Sequence, residues 1–340
     1  MSHVRRVATG DTVGPMSGDD AARRSYLQGV KLRALVRDHL GVTSVPDPVE
    51  FAPGAALLVD GAAWLLLADQ PAVRLGAAML WALRQGAASV HVIAEEATGL
   101  LARRVTQFEL SADVWHAEGR DLLPAVPEPI TPSMPAPAHH EVFRARIIEG
   151  GAEPLVEHGV LSGEVRGLEV CRVVDDPYLD STRLEVGVGA HDREAFQMLH
   201  GDVPTVESLA RVVEAVAEHR RVGAPRHPLN RLAAERFVRW RIVDDPSLVG
   251  MSSVTSVPPP VPRVNLKDPV PCVALGDGPE GRRVIVCSAG VDLDLVPFAA
   301  DAALAYGGDE LLLVLPARDQ VRATEELAAA LHHPAAFATL

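Results

Sequence analysis

Lysine is nearly absent. Of the 32 basic residues only Lys31 and Lys267 are lysines, so a mechanism built on a lysine nucleophile or base has almost nothing to draw on. Cysteine is as scarce. Cys171, Cys272 and Cys287 lie far apart inside apolar or strand-like runs, which argues against a disulfide framework or a cysteine metal cluster and for small buried hydrophobes in a reducing, cytoplasmic compartment. No apolar run approaches the roughly 20 residues of a membrane helix. Ala62 to Ala68 and Leu311 to Leu315 are each interrupted within a few residues by Asp, Gln, Arg or Pro, so no membrane is expected as a partner. Residues 1–25 carry Arg5, Arg6, Asp19 and Asp20 but lack the apolar core of a secretory signal, and read as a floppy leader. Motifs are missing too: there is no P-loop, no GxSxG elbow, no HExxH and no zinc-type Cys/His spacing. His139-His140 and His332-His333 are adjacent pairs, so their rings are expected to be solvated and not to converge on one metal.

What is present is an acidic, apolar-rich chain. With 340 residues, 48% of them hydrophobic, it can fill the cores of two or three domains. A net charge of -13 disfavours general nucleic-acid binding, which needs a basic footprint, and leaves room for a local basic patch. Two proline-rich stretches, Pro124 to Pro137 and Val257 to Pro262, favour extended connectors. They divide the chain into a leader and helix, partly disordered (1–50), an N-terminal α/β lobe (51–123), a connector (124–138), a middle α+β region (139–250), a second connector (251–262) and a C-terminal α/β lobe (263–340).

In the first lobe, Asp60-Gly61 between the apolar runs Ala55–Val59 and Ala62–Ala68 signals a tight hairpin. Helical spacing follows over Pro71–Gln85 and Thr98–Phe108, with strands at Ser89–Ala94 and Asp113–His116. The order ββαβαβ recurs in the last lobe. There Cys272–Leu275, a turn through Gly276-Asp277-Gly278, and Arg283–Cys287 precede a helix at Leu295–Tyr306, stopped by Gly307-Gly308. A strand at Glu310–Leu315, a helix at Gln320–Leu331 and a strand at Ala335–Leu340 complete it. A shift of about 220 carries Trp64 onto Val284, Ser89 onto Asp309 and Asp113 onto His333, which reads as an internal duplication. The expected fold class is therefore α/β, with two duplicated, Rossmann-like ββαβαβ lobes flanking a small α+β middle region. In that region Gly167–Val174 and Arg183–Val188 alternate around Pro177 and Asp180 as a long-looped hairpin. Thr205 opens a helix with Leu209, Val213 and Val216 on one face, and Pro228 another with Leu229, Ala233, Phe237 and Trp240.

Ligands of open α/β sheets collect outside the carboxyl ends of the strands. Here those tips carry Asp69, Glu95, Glu96 and Thr98, and in the other lobe Ser288, Gly290, Asp292, Asp294, Arg318 and Asp319. That charge is wrong for a phosphate cradle, and Asp69, Thr98 and Asp292 fall where helices need caps.

Three candidate sites lie in the middle region. Glu164, Glu169 and Glu185 are candidate catalytic carboxylates, with Arg172 expected to face Glu185 as a cross-strand ion pair. Acids on adjacent strands are comparable with metal-dependent nucleases, which use them to hold Mg²⁺ and activate water. The chain departs from the restriction-endonuclease-like pattern, because neither lysine stands two residues after the second acid. The glycine-rich stretch Gly187 to Glu194, with Asp192 as a helix cap and His191 and Arg193 alongside, is a second candidate, for an anion. The third is the segment Arg220 to Arg241, where Arg220, Arg221, Arg226, Arg231, Arg236, Arg239 and Arg241 face a single acid, Glu235, with His227 and Asn230 nearby. Such clusters bind phosphates or acidic partners, or neutralise carboxylates of their own fold; Arg231, Glu235 and Arg239 have the i, i+4 spacing of surface ion pairs. The function expected is a non-catalytic binding protein that recognises an acidic or phosphorylated protein, or another polyanion, through Arg193, Arg226, His227, Asn230, Arg231 and Arg239. No cofactor is expected, and a homo-oligomer is compatible. The alternative is a nuclease-like hydrolase with Mg²⁺ or Mn²⁺ on Glu164, Glu169 and Glu185, which requires these carboxylates to converge within about 5 Å.

Overall fold

Asp60 and Gly61 both take positive φ, 48° and 81°, the left-handed pair whose twist matches the strands it joins. They close β2 (Gly54–Val59) onto β3 (Ala62–Leu67) in the computed structural model, which describes residues 18–51, 54–176, 180–189, 193, 205–225, 227–262, 270–307 and 310–340. Residues 1–17 of the expected leader, Pro177, Ala190, His191, Asp192, Glu194, Arg226, Lys267, Gly308 and Asp309 lie outside the described residues. After β3, α2 (Leu75–Arg84), β4 (Ser89–Ala94), α3 (Thr98–Val105) and β5 (Ala112–Glu118) add two parallel strands. Antiparallel edges β1 (Val49–Phe51) and β6 (Asp121–Pro124) complete the order β1-β2-β3-β4-β5-β6. The opposite face is covered by α1 (Gly18–Leu40), with Leu32, Leu35 and Val36 buried against Leu57, Trp64 and Leu66. Residues 18–25 of the expected leader are thus helical.

The middle region begins with the short helices α4 (Ala138–Glu141) and α5 (Arg144–Glu149). An antiparallel meander follows: β7 (Glu153–Glu157), β8 (Val160–Val165), β9 (Leu168–Asp176) and β10 (Ser181–Val186). Leu209 and Val216 of α6 (Thr205–His219) bury against it. The sequence reading held only β9 and β10. Both strands run further toward the turn than expected, until Asp176 pairs with Ser181.

In the last sheet the bend falls two residues later than expected. Gly276–Gly278 belong to β12 (Cys272–Gly278), and Pro279-Glu280 turn the chain into β13 (Gly281–Cys287), with proline supplying the fixed φ such a turn uses. The remaining elements are α8 (Leu295–Tyr306), β14 (Leu311–Leu315), α9 (Arg322–Ala329) and β15 (Ala336–Thr339), with β11 (Ser253–Val257) at the edge. Pro228 does not open one continuous helix. A 3-10 turn over Pro228–Arg231 ends at Ala233, φ 47°, and α7 (Ala234–Asp244) starts afresh. Its Val238 and Ile242 pack on Ala274, Ile285 and Val314, so α7 covers the outer face of the third sheet as α1 covers that of the first.

Both lobes therefore share the order α-β-β-β-α-β-α-β. Their inner helices pack crosswise, α2 on α9, α3 on α8 and α2 on α8. Phe108 and Leu331, just beyond α3 and α9, form an antiparallel bridge between the lobes, with reciprocal 3.0 Å bonds from Glu109 N to Ala330 O and from His332 N to Gln107 O. The seam is one shared core containing Val92, Leu101, Val286, Phe298, Leu313 and Leu327.

Candidate functional site

The helix α7 carries the arginine-rich segment across the turn between β8 and β9. Gly167 stands at that crossing with φ 77°, and a Cβ there would lie 2.4 Å from the carbonyl oxygen of Arg236. The close approach delivers Arg236 and Arg239, nearly one helical turn apart, to the carboxylates of β7 and β8. Arg236 pairs with both Glu157 and Glu164; Arg239 reaches Glu157 at 3.2 Å and Glu164 at 3.6 Å. Arg236, Arg239 and Glu164 are buried and Glu157 is nearly so. Burial alone would lower Arg236, but Glu164 and Glu157 more than reverse it; burial alone would raise Glu157, but Arg236 and Arg239 hold it down. The quartet is neutral as a whole, which is what makes it tolerable away from water.

A second cluster occupies β9 and β10. Glu169 accepts from Arg172 Nε (3.0 Å) and Nη2 (2.9 Å) and from Arg193 Nη1 (3.0 Å), while Arg193 Nε also lies 3.5 Å from Glu185. Arg183 forks onto Glu185 at 3.2 and 2.8 Å and pairs with Asp176. Arg172 and Glu185 are register partners, as the sequence implied, yet the Arg172 guanidinium turns to Glu169 instead. A polar cavity of about 170 Å³ borders both clusters, lined by Glu157, His158, Ser162, Glu169, Arg172 and Arg236. Glu164, Glu169 and Glu185 are thus engaged by arginines and do not gather into a metal-sized trio. Among the described residues the one such group is His139, His140 and Asp175, whose ligand atoms lie within 4.8 Å of one another. This corrects the expectation of solvated, divergent histidines. α4 is a single turn beside the end of β9, and both rings, edge to face at 4.6 Å, reach round to the same Asp175 oxygen.

The other basic candidates divide by the direction they face. Arg220 is buried and donates to four carbonyls: Arg166 (2.8 Å), Leu229 (3.1 Å), Leu232 (2.8 Å) and Ala233 (2.7 Å); burial pushes its pKa down to about 10. His227 stacks on His219, centroids 3.9 Å apart, and its Nδ1 accepts from Leu229 N at 3.3 Å. Asn230 Nδ2 donates to Pro225 O at 3.3 Å. Arg221 and Arg231 are exposed; Arg221 donates to the Glu218 carbonyl at 3.2 Å, and Arg231 has no hydrogen bond or ion pair among the described residues. The i, i+4 spacing of Arg231 and Arg239 about Glu235 does not set the two arginines on one helix face, because the chain breaks at Ala233 between them.

At the strand tips the acids fix loops and helix ends, though not at the expected positions. Thr98 is the first residue of α3, and the residue before it, Ala97 at φ 55°, supplies no side-chain cap. Asp292 accepts from Asp294 N at 2.9 Å, and Asp319 from Gly290 N at 2.8 Å. Asp294 reaches across the seam to accept from Gly76 N at 3.0 Å, capping α2 of the opposite lobe. Glycine is needed at 76, since a Cβ would sit 2.2 Å from Leu293 O. Burial, with Asp292 adding to it, pushes Asp294 up to about 7 against the opposing Gly76 bond. Deeper in the seam, fully buried Asp301 on α8 is clasped by Arg103 at 2.6 and 3.0 Å and by Arg104 at 3.4 Å. The sequence reading missed this triad, because Asp301 and the arginines are nearly two hundred residues apart with no local motif. The three cysteines are free and buried; burial pushes the Cys171 thiol up to about 12 and Cys287 well above its ordinary value, so neither of these two offers a ready thiolate.

No family model matches the chain, and no curated protein and no solved structure matches it.

Proposed function

We propose that the chain is a non-catalytic binding protein that recognises a phosphorylated or acidic partner through the exposed edge carrying Arg221 and Arg231, beside the stacked His219 and His227. The observation that carries this reading is the partition of the arginines. Arg193, Arg220, Arg236 and Arg239 are buried and engaged by carboxylates or carbonyls of the same chain, so they frame the middle region. Arg231 and Arg221 keep exposed guanidinium groups without a carboxylate among the described residues, and planar, permanently charged forks of this kind suit phosphate and carboxylate groups. A hydrolase centred on Glu164, Glu169 and Glu185 is less favoured, because a metal there would have to displace guanidinium groups from buried ion pairs.

Descent by duplication of an α-β-β-β-α-β-α-β unit accounts for the matching order of the lobes. On this reading the lobes form a frame, and the binding edge belongs to the insert between them. Three buried free thiols favour a reducing, cytoplasmic setting.

Fluorescence anisotropy with a labelled phosphoserine peptide and its unphosphorylated counterpart tests the proposal. Binding that weakens with salt and drops at least about 10-fold in the Arg221→Ala/Arg231→Ala protein is expected. Affinity indifferent to both substitutions would overturn it. So would Mn²⁺-dependent cleavage of a phosphodiester that Glu169→Gln abolishes.

A further inference from the structure

Asp175 stands at the end of β9, and three donors converge on one of its oxygens. His139 Nε2 is 3.1 Å from Asp175 Oδ1, His140 Nε2 is 3.0 Å from the same atom, and the Thr182 hydroxyl donates to it at 2.8 Å. For neutral rings this demands the Nε2–H tautomer in both histidines. On the far side of the buried His140 ring, Nδ1 is buried with no hydrogen-bond partner, so the ring is oriented from its Nε2 side alone. Two imidazole nitrogens and a carboxylate oxygen turned toward one point form a donor set that divalent transition metals favour.

We propose that His139, His140 and Asp175 form a binding site for a divalent transition-metal ion, zinc foremost, that clips α4, where the first proline-rich connector ends, onto the β9–β10 hairpin. The spacing fits. Metal bonds of about 2.0–2.1 Å put neighbouring ligand atoms about 2.9 Å apart at right angles and about 3.3 Å apart in a tetrahedron. The two histidine–carboxylate separations, 3.0 and 3.1 Å, lie between these limits; the three ligand atoms lie within 4.8 Å of one another, so one ion reaches all three once the two histidine nitrogens draw toward about 3.3 Å by side-chain rotation. Both imidazoles bind as neutral ligands through Nε2, the single proton of each ring moving from Nε2 to Nδ1; Asp175 contributes one negative oxygen, and Thr182 remains to orient the carboxylate. The side chains of His139 and Asp175 are more than half exposed, so the remaining coordination positions open to water. The site uses none of the residues of the proposed binding edge, so either can stand without the other.

Isothermal titration of the full-length, chelator-treated protein with Zn²⁺ tests the inference, with the visible spectrum of the Co²⁺ form reporting the ligand set. One ion per chain is expected, together with a higher melting temperature on zinc addition. Affinity should fall at least about 100-fold in His139→Ala and in Asp175→Asn, by analogy with the 10- to 100-fold loss on removing mere supporting groups of metal sites. Because both residues are exposed, these variants keep the core intact even if His140→Ala does not fold. The control is His332→Ala/His333→Ala, which should bind zinc as the unaltered protein does. Absence of zinc binding would overturn the inference, as would binding that survives Asp175→Asn or is lost in the His332/His333 control.

Discussion

At the tip of α8, the Asp294 carboxyl accepts the Gly76 amide across the seam, and burial beside Asp292 keeps its proton on up to about pH 7. Its folded-state pKa is raised above the unfolded value, so its contribution to stability is fully present below about pH 4 and is lost as pH rises through about 7. Asparagine retains the acceptor oxygen and cannot ionise. Asp294→Asn should therefore stabilise the protein at pH 8 by up to about 4 kcal/mol, a gain that shrinks toward pH 5 when urea unfolding is repeated there. Residue chemistry of this kind was only partly legible beforehand. Periodicity located Asp292 and Asp294 at the strand tip, yet it assigned Asp292 to capping its own helix and gave Asp294 no partner, because nothing local reveals that the nearest open helix end belongs to the other lobe. The adjacent histidines were misjudged for a related reason: divergence was inferred from regular geometry, and one isolated turn beside a strand end need not obey it.

Among the elements, the strands β7 and β8 escaped sequence reading because their buried face is ionic. Glu157 and Glu164 point at Arg236 and Arg239, so the expected alternation of apolar and polar residues is broken where the ion pairs lie inside. The turns did carry a signal: His158-Gly159 and Arg166-Gly167 repeat the positive-φ pair of Asp60-Gly61. The same ion pairs disguised α7, since an arginine-rich helix reads as a surface helix until its carboxylates are known. These two glycines give a sharp comparison. Gly159, φ 82°, has no atom nearer its ideal Cβ than 3.7 Å, whereas Gly167, φ 77°, meets the Arg236 backbone. Gly159→Ala should cost about 1 kcal/mol from backbone strain alone. Gly167→Ala should cost clearly more, about 3 kcal/mol or above, because α7 must move off its ion pairs. Urea midpoints of the two variants, at unchanged slope, check the difference.

For the whole molecule, the ββαβαβ order within both lobes was legible from hydrophobic spacing and the Asp-Gly hairpin, but the edge strands β1, β6 and β11 and the way the lobes meet were not. Which helix faces which depends on Asp301, Arg103, Arg104, Phe108 and Leu331, none of which forms a local pattern. Across the whole fold, the inward arginines hold the frame and, as proposed, the outward ones are free for a partner. Thermal unfolding of the unaltered protein and of Arg221→Ala/Arg231→Ala, each with and without a phosphoserine peptide, tests this division most directly. Equal melting temperatures are expected without peptide, with a rise for the unaltered protein equivalent to about 2.7 kcal/mol when peptide is at 100 times its Kd, and one of no more than about 1.4 kcal/mol for the variant at the same peptide concentration. A variant that already melts lower without peptide, or a peptide that raises both proteins equally, would contradict it.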